Sequence, residues 1–284
     1  MTLNQAGCEV KITEHAAKEF KNMSIQKPDP ISRKSLLLAH DENYVDAFLQ
    51  GRLNEKEKRR IGLTPWSPKM IERTLCLTDG AVKATIHAIK NGGITGNMAG
   101  GTHHAFSDRA EAFCILNDQS IAANYLIDRN LCKKILILDL DVHQGNGTAE
   151  IFRNKTNVFT ASFHGENNYP FRKEKSDFDY GFQNNVSDIE YLNVIKYEVP
   201  RLIENFEPNF IFYLSGVDII EDDKLGKLSV SLLGCKERDR FVLDYCMHNK
   251  IPIQVSMGGG YSTDINTIVE AHANTYRLAQ EIFF

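Results

Sequence analysis

The chain lacks the features that mark a membrane, secreted or nucleic-acid-binding protein. No apolar run approaches the length of a membrane span. Met1 to Lys21 is polar, without the apolar core of a signal peptide. Ala6-Gly7-Cys8 has the order of a lipoprotein cleavage site, but no apolar segment precedes it. Positive charge is not in excess: 33 Lys and Arg against 37 Asp and Glu leave a net charge of −4, which gives no electrostatic case for nucleic acid or an anionic membrane. Six cysteines (Cys8, Cys76, Cys114, Cys132, Cys235 and Cys246) show no close pairing. They fit reduced thiols in a cytoplasmic protein rather than a disulfide framework. Internal repeats and low-complexity linkers are absent as well. What is present, 284 residues of which 42% are hydrophobic and 25% charged, suffices to bury a full core and reads as one domain over 1–284.

Short apolar runs alternate with helical patterns. The strand candidates are Lys134–Leu140, Val158–Phe163, Phe210–Ser215 and Ile251–Ser256, each β-branched or aromatic. Helical spacing marks Ala112–Ile127, Thr148–Phe152, Ile189–Phe206, Glu237–Met247 and Asp264–Ile282. The alternation predicts an α/β fold, a central and mostly parallel sheet flanked by helices, in which ligands bind beyond the carboxyl ends of the strands.

Those ends carry chemistry. Lys134–Leu140 runs into Asp141-Val142-His143-Gln144-Gly145-Asn146, and buried charges are costly unless paired or bound to a metal. A carboxylate and an imidazole two residues apart at a strand end can hold one ion between them. His164, Asp218 and Gly258-Gly259-Gly260-Tyr261 follow the other strands. Asp218 can supply a second carboxylate, although an aspartate capping a turn looks the same in isolation. Two carboxylates and one imidazole leave a coordination position open for water, the pattern of a catalytic metal in a hydrolase. Upstream, Gly100-Gly101-Thr102-His103-His104-Ala105 adds tandem imidazoles.

The stretches GGTHHAF, AFCILND, LDLDVHQGNGTAEIF, NYPFRKEKSD, GVDIIEDDKLGKLS and GGGYS run in order from about Leu36 to Tyr276. With them the chain resembles the histone deacetylase superfamily of the arginase–deacetylase fold, and most of all its class IV type and bacterial deacetylase relatives. The resemblance implies zinc held by Asp141, His143 and Asp218, and a water whose pKa falls towards ~7 there. Iron(II) can replace zinc, because such a donor set selects weakly. By the same resemblance His104 is the general base that later protonates the leaving amine, and His103 stabilises charge. Tyr261 donates its hydroxyl to the developing oxyanion. Asp139 orients His103 and favours its cation. Asn146 stands where many relatives have aspartate; a neutral amide adds no charge attraction, so His104 is expected neutral near pH 7. A potassium ion is implied beside Asp139, Asp141, His143, Ser162 and Phe163. Phe113 and Tyr169 match the aromatic pair of the acyl-lysine channel, though core packing explains aromatics equally well. Gly101 matches a carbonyl that accepts the substrate amide.

The N-terminal segment 1–30 departs from the pattern: it reads as a Glu14–Met23 helix and a proline-containing loop, where relatives open with a strand and a rim loop. Thr64 lengthens the loop Ile61–Pro68, and Met257 replaces a small residue. A shortened rim would admit a longer acyl group. His40 reads as structural, and His15, His87, His248 and His272 lack ligand spacing. The run Lys56–Arg60 reads as a solvated face, and Arg172 and Lys173 could meet an acidic substrate flank. The expected substrate is an acylated protein, peptide or small amine such as an acetylpolyamine, turned over by a zinc amidohydrolase. The competing readings are a binuclear manganese ureohydrolase and a catalytically silent acyl-lysine binder. Oligomeric state is not readable from the chain.

Overall fold

A computed structural model describes residues 23–284; most of the N-terminal segment, including all of the expected Glu14–Met23 helix except its last residue, lies outside the described residues. In chain order the elements are α1 (Arg33–Leu36), α2 (Glu42–Leu49), α3 (Glu55–Ile61), α4 (Pro68–Asn91), β1 (Ile94–Asn97), α5 (Asp118–Asp128), β2 (Ile135–Asp139), α6 (Asn146–Phe152), β3 (Val158–Gly165), β4 (Phe178–Phe182), α7 (Asp188–Phe206), β5 (Phe210–Leu214), α8 (Leu232–His248), β6 (Ile253–Ser256) and α9 (Ile265–Phe283).

The six strands form one sheet in the order β1-β6-β5-β2-β3-β4, every pair parallel. β2 and β5 are buried along their whole length, which is why they read as unbroken apolar runs. Their side chains alternate between two cores. Leu136, Leu138, Ile211 and Tyr213 pack with α7, α8 and α9, whereas Ile135, Ile137, Phe210 and Phe212 pack with the helices from α2 to α5. From β2 the chain winds outward through β3 and β4, then returns to place β5 on the other side of β2. The winding therefore reverses between β2 and β5, and a crevice opens there at the carboxyl ends. Asp139 pairs with Leu214 across that seam, so the loops that leave it, Leu140 onward and Ser215 onward, emerge side by side.

One expected helix begins late, and several elements are new. The helix expected over Ala112–Ile127 begins only at Asp118, because Ala112 and Phe113 adopt left-handed backbone (φ 42° and 67°) in a turn closed by Glu111 and Cys114. The 24-residue α4 is amphipathic, and Ile71, Leu75, Ile86 and Ile89 pack against the core beside the buried Leu77 and Val82. Thr74, Thr78 and Thr85 share its buried face and return their hydroxyls to carbonyls one turn back, as Thr78 does to Thr74 at 2.9 Å. The edge strand β4 is only half-buried; Phe178, Tyr180 and Phe182 alternate along it with Asp179 and Gly181, and pack against the core.

Candidate active site

Asp141 and His143 stand on the loop after β2, Asp218 on the loop after β5. One donor atom of each lies within 4.8 Å of the others, and all three residues are buried. His143 Nδ1 is 3.1 Å from Asp141 Oδ1 and 3.0 Å from Asp218 Oδ2. The other carboxylate oxygens are also bonded: Asp141 Oδ2 accepts Gly259 N–H at 2.7 Å, and Asp218 Oδ1 accepts Val142 N–H at 2.9 Å. Burial raises the Asp218 carboxyl, and the charge of Asp141 adds to it, so that it is pushed up to about 7 against the pull of His143. Burial alone would lower His143, but its bonds to Asp141 and Asp218 carry it up to about 10. Two carboxylates this close require a positive charge between them. Their donor set and convergence fit a divalent cation with open coordination positions.

The tandem histidines approach from the loop after β1. His103 Nδ1 lies 2.7 Å from Asp139 Oδ2, and His104 Nδ1 lies 2.7 Å from Asn146 Oδ1. Burial opposes charge on His103, yet Asp139 and Asp141 outweigh it and raise its pKa. Burial, then the neighbouring His103 and His143 charges, hold His104 well below the usual imidazole value, and the bond to Asn146 only partly opposes them. The two rings are 4.0 Å apart between centroids and differ in their partners alone, carboxylate against amide.

Tyr261 follows the glycine run after β6, 6.3 Å from the His143 ring and 6.1 Å from Phe113. Tyr169 meets His104 edge-on at 5.1 Å. Gly101, His103, His104, Asp141, His143 and Tyr261 line one cavity of about 400 Å3, which Phe113 and Tyr169 also line. Two glycines are obligatory. Gly101 (φ +92°) passes so close to Gly258 that a Cβ would lie 2.7 Å from its backbone nitrogen, and a Cβ on Gly259 would enter the Asp218 carboxylate. The β2–β3 register sets Ser162 beside Asp139, with Phe163 next along β3. His164 is not among the residues lining the cavity; its Nδ1 sits 2.9 Å from Ser162 Oγ.

Several supporting residues carried no sequence signal of their own. Asp118 accepts the N–H groups of Gly101 and Thr102, at 3.2 and 2.9 Å, and so shapes the turn before His103. Asp223 accepts Tyr261 N–H at 2.5 Å. Both lie inside the motif stretches but have no periodic or spacing signature. Arg238 is wholly buried behind the ligand loops, where it donates to Gly216 O (2.7 Å) and Leu140 O (3.2 Å) and pairs with Asp239 at 2.8 Å. His40, expected on a helix, sits in the turn after α1: its Nδ1 lies 2.9 Å from Phe106 O, and its Nε2 accepts Asn117 N–H at 2.9 Å. Lys173 donates to the carbonyls of Asn168 and Pro170, both at 2.7 Å, as a staple of its own loop. Arg60, read as part of a solvated face, reaches the cavity mouth, because Ala112 and Phe113 N–H groups bond the end of α3 at Arg60 O and Ile61 O.

The all-parallel sheet with its Asp–His–Asp cluster at the β2/β5 seam is the arginase–deacetylase fold. A histone deacetylase homologue from Aquifex aeolicus superimposes with a TM-score of 0.79, at 22% identity, over 95% of this chain and 77% of that one. The histone deacetylase domain matches residues 6–276, and the chain belongs to the histone deacetylase family, as a hydrolase of that family. It is 40% identical over 259 residues to an uncharacterized protein of Picosynechococcus, covering 91% of this chain and 86% of that protein. It is also 31% identical to the acetoin utilization protein AcuC of Staphylococcus aureus, over 84% of this chain and 66% of AcuC, slightly under two thirds of that protein's length.

Proposed function

We propose that the protein is a zinc-dependent deacylase that removes an acetyl or longer acyl group from a lysine side chain. The observation that carries this reading is the convergence of the Asp141–His143–Asp218 cluster, whose Asp141 and His143 line the cavity, with two differently partnered histidines and Tyr261 that line it too. A divalent metal held by the three ligands would supply Lewis-acid activation of the acyl carbonyl and of water. The chain's own groups do the rest. His104, kept neutral by burial, accepts a proton at Nε2 and returns it to the leaving amine. His103, held cationic by Asp139, stabilises negative charge without leaving its place. The Tyr261 hydroxyl, held neutral because burial raises its pKa, donates to the developing oxyanion. Phe113 and Tyr169 line a passage that accepts a neutral acylated chain and disfavours free ammonium; the Gly101 carbonyl holds the substrate amide. Potassium beside Asp139, Asp141, His143, Ser162 and Phe163 would complete the set. The five described cysteines are free, in keeping with work in a reducing cytoplasm.

The mouth favours a peptide over a polyamine. Above the floor, the charged side chains lining the cavity are Arg60, Arg73 and Lys227, with no carboxylate among them. A polycationic amine would meet like charge there, whereas a neutral or acidic peptide flank would not. Turnover of acetyl- and long-chain acyl-lysine peptides and acetylpolyamines by zinc-loaded protein, with Asp141→Ala as control, tests this. Peptide deacylation lost in the variant is expected. Stoichiometric metal without turnover of any substrate would overturn the deacylase reading in favour of an acyl-lysine binder; preferential turnover of the polyamines would overturn the choice of substrate.

A further inference from the structure

Glu111 lies in the turn between β1 and α5, and nothing in the family pattern above assigns it a role. It forms a short bridge with Cys114 just before the left-handed Ala112 and Phe113. Its Oε1 accepts the Tyr169 hydroxyl and also the Asn146 Nδ2 group at 3.3 Å, while Arg109 Nε lies 3.5 Å from Oε2. The two groups that donate to Oε1 both touch His104: Asn146 through Oδ1 at 2.7 Å from His104 Nδ1, Tyr169 through its ring edge at 5.1 Å. His104, Asn146, Glu111 and Tyr169 thus close a circuit around one side of the imidazole.

The chemistry of the circuit has a direction. An ionised carboxylate only accepts hydrogen bonds, so it selects the amide orientation that turns Nδ2 towards it. Asn146 Oδ1 must then face His104, and His104 must donate from Nδ1. Its lone pair is left on Nε2, the nitrogen not engaged by Asn146. With the amide reversed, Oδ1 would oppose the carboxylate, acceptor against acceptor. Nδ2 would then face His104 Nδ1 and draw the ring proton to Nε2, where no base remains. An asparagine with no such neighbour has little reason to prefer one orientation over the other. A directly bonded aspartate would fix the tautomer by itself; asparagine needs a third group to orient it.

We propose that Glu111 is a positioning residue that orients the Asn146 amide and the Tyr169 ring, and so holds His104 in the tautomer able to accept a proton at Nε2. The consequence for catalysis rests on the deacylase reading; the tautomer does not.

The test therefore has two readouts on zinc-loaded full-length protein. Nitrogen-15 NMR of the histidine rings, with His104 assigned by its absence in His104→Gln, reports the tautomer directly. Wild type is expected as Nδ1–H. Glu111→Ala, and Glu111→Met as a variant closer in volume that lacks an acceptor, are expected to show Nε2–H or a mixture. Glu111→Gln, which keeps an acceptor oxygen, should restore most of the Nδ1–H signal. In turnover, kcat of the alanine and methionine variants should fall about ten- to hundredfold with KM little changed, and the glutamine variant should recover most of it. His104 remaining Nδ1–H in both the alanine and methionine variants overturns the inference. So does an undiminished kcat in variants of a wild type that turns over. If wild type turns over nothing, the deacylase reading fails, and the ring spectra still decide the role of Glu111.

Discussion

At the floor of the cavity Asp141, His143, Asp218, His103 and His104 are all buried, and each has a partner at 2.7–3.1 Å. At the mouth the construction differs: Arg60, Leu225 and Lys227 are exposed, and Phe171 is 88% exposed. Floor residues stand on loops at the carboxyl ends of β1, β2 and β5, braced by Asp118, Asp223 and Arg238. Mouth residues stand on the end of α3 and on the loops around Tyr169 and Leu225, tied by backbone bonds such as Phe113 N–H to Ile61 O and by side-chain bonds such as Asn168 Nδ2 to Leu225 O. A buried charge must be paired in one geometry, so the floor tolerates little change. An exposed side chain is free to vary, and the mouth is where substrate preference can be tuned without disturbing the chemistry.

That contrast can be broken at the floor first. Asp218→Ala should abolish stoichiometric metal binding and reduce amine release to background, read by metal analysis and turnover on the same sample; metal retained at full stoichiometry would deny Asp218 its place as a ligand. Tyr261→Phe keeps the ring and removes one donor. It should cost about a hundred- to thousandfold in kcat with KM nearly unchanged.

A pH signature also arises outside the cavity, in the turn after α1. Burial lowers His40 from 6.5 to about 4, against the opposing pull of its bond to Phe106 O, and Asn117 N–H occupies the Nε2 lone pair that a proton would take. A depressed value means that the stabilisation is complete above pH 6.5 and is lost as pH falls towards 4. The loss is on the order of 3 kcal/mol, seen in denaturant unfolding at several pH values. His40→Gln should be less stable at pH 7 and flatter across that window. An unaltered acid limb would remove His40 from the account.

Gly259→Ala sharpens the comparison, since only a methyl group is added. It would press on the Asp218 carboxylate, and metal affinity is expected to fall about ten- to hundredfold, measured by competition with a chelator. The smallest effects belong to the mouth. Arg60→Glu should change KM for acidic-flanked peptides by about two- to fivefold, leave kcat alone, and lose its effect at high salt. A large drop in kcat there would show that mouth and floor are coupled.

The sequence alone determined the central strands β2, β3, β5 and β6 and the side chains at their ends. Burial on both faces forces a continuous apolar run, and a charged residue directly after such a run is conspicuous. Asp141, His143 and Asp218 stood out for that reason, whereas the tandem histidines and Tyr261 stood out as a paired imidazole and a glycine-run motif. Tertiary structure decided the rest. Only the folded chain sets β4 against β3 at the sheet edge and lays α4 along α5. Arg238 looks like any surface arginine until burial places it on the carbonyls of two ligand loops. Glu111 and Asn146 are 35 residues apart, and only the folded chain brings the carboxylate to the amide. Residue type and local pattern record what a strand must bury; which polar groups meet across loops depends on contacts distant in sequence, and those exist only once the sheet has set its order.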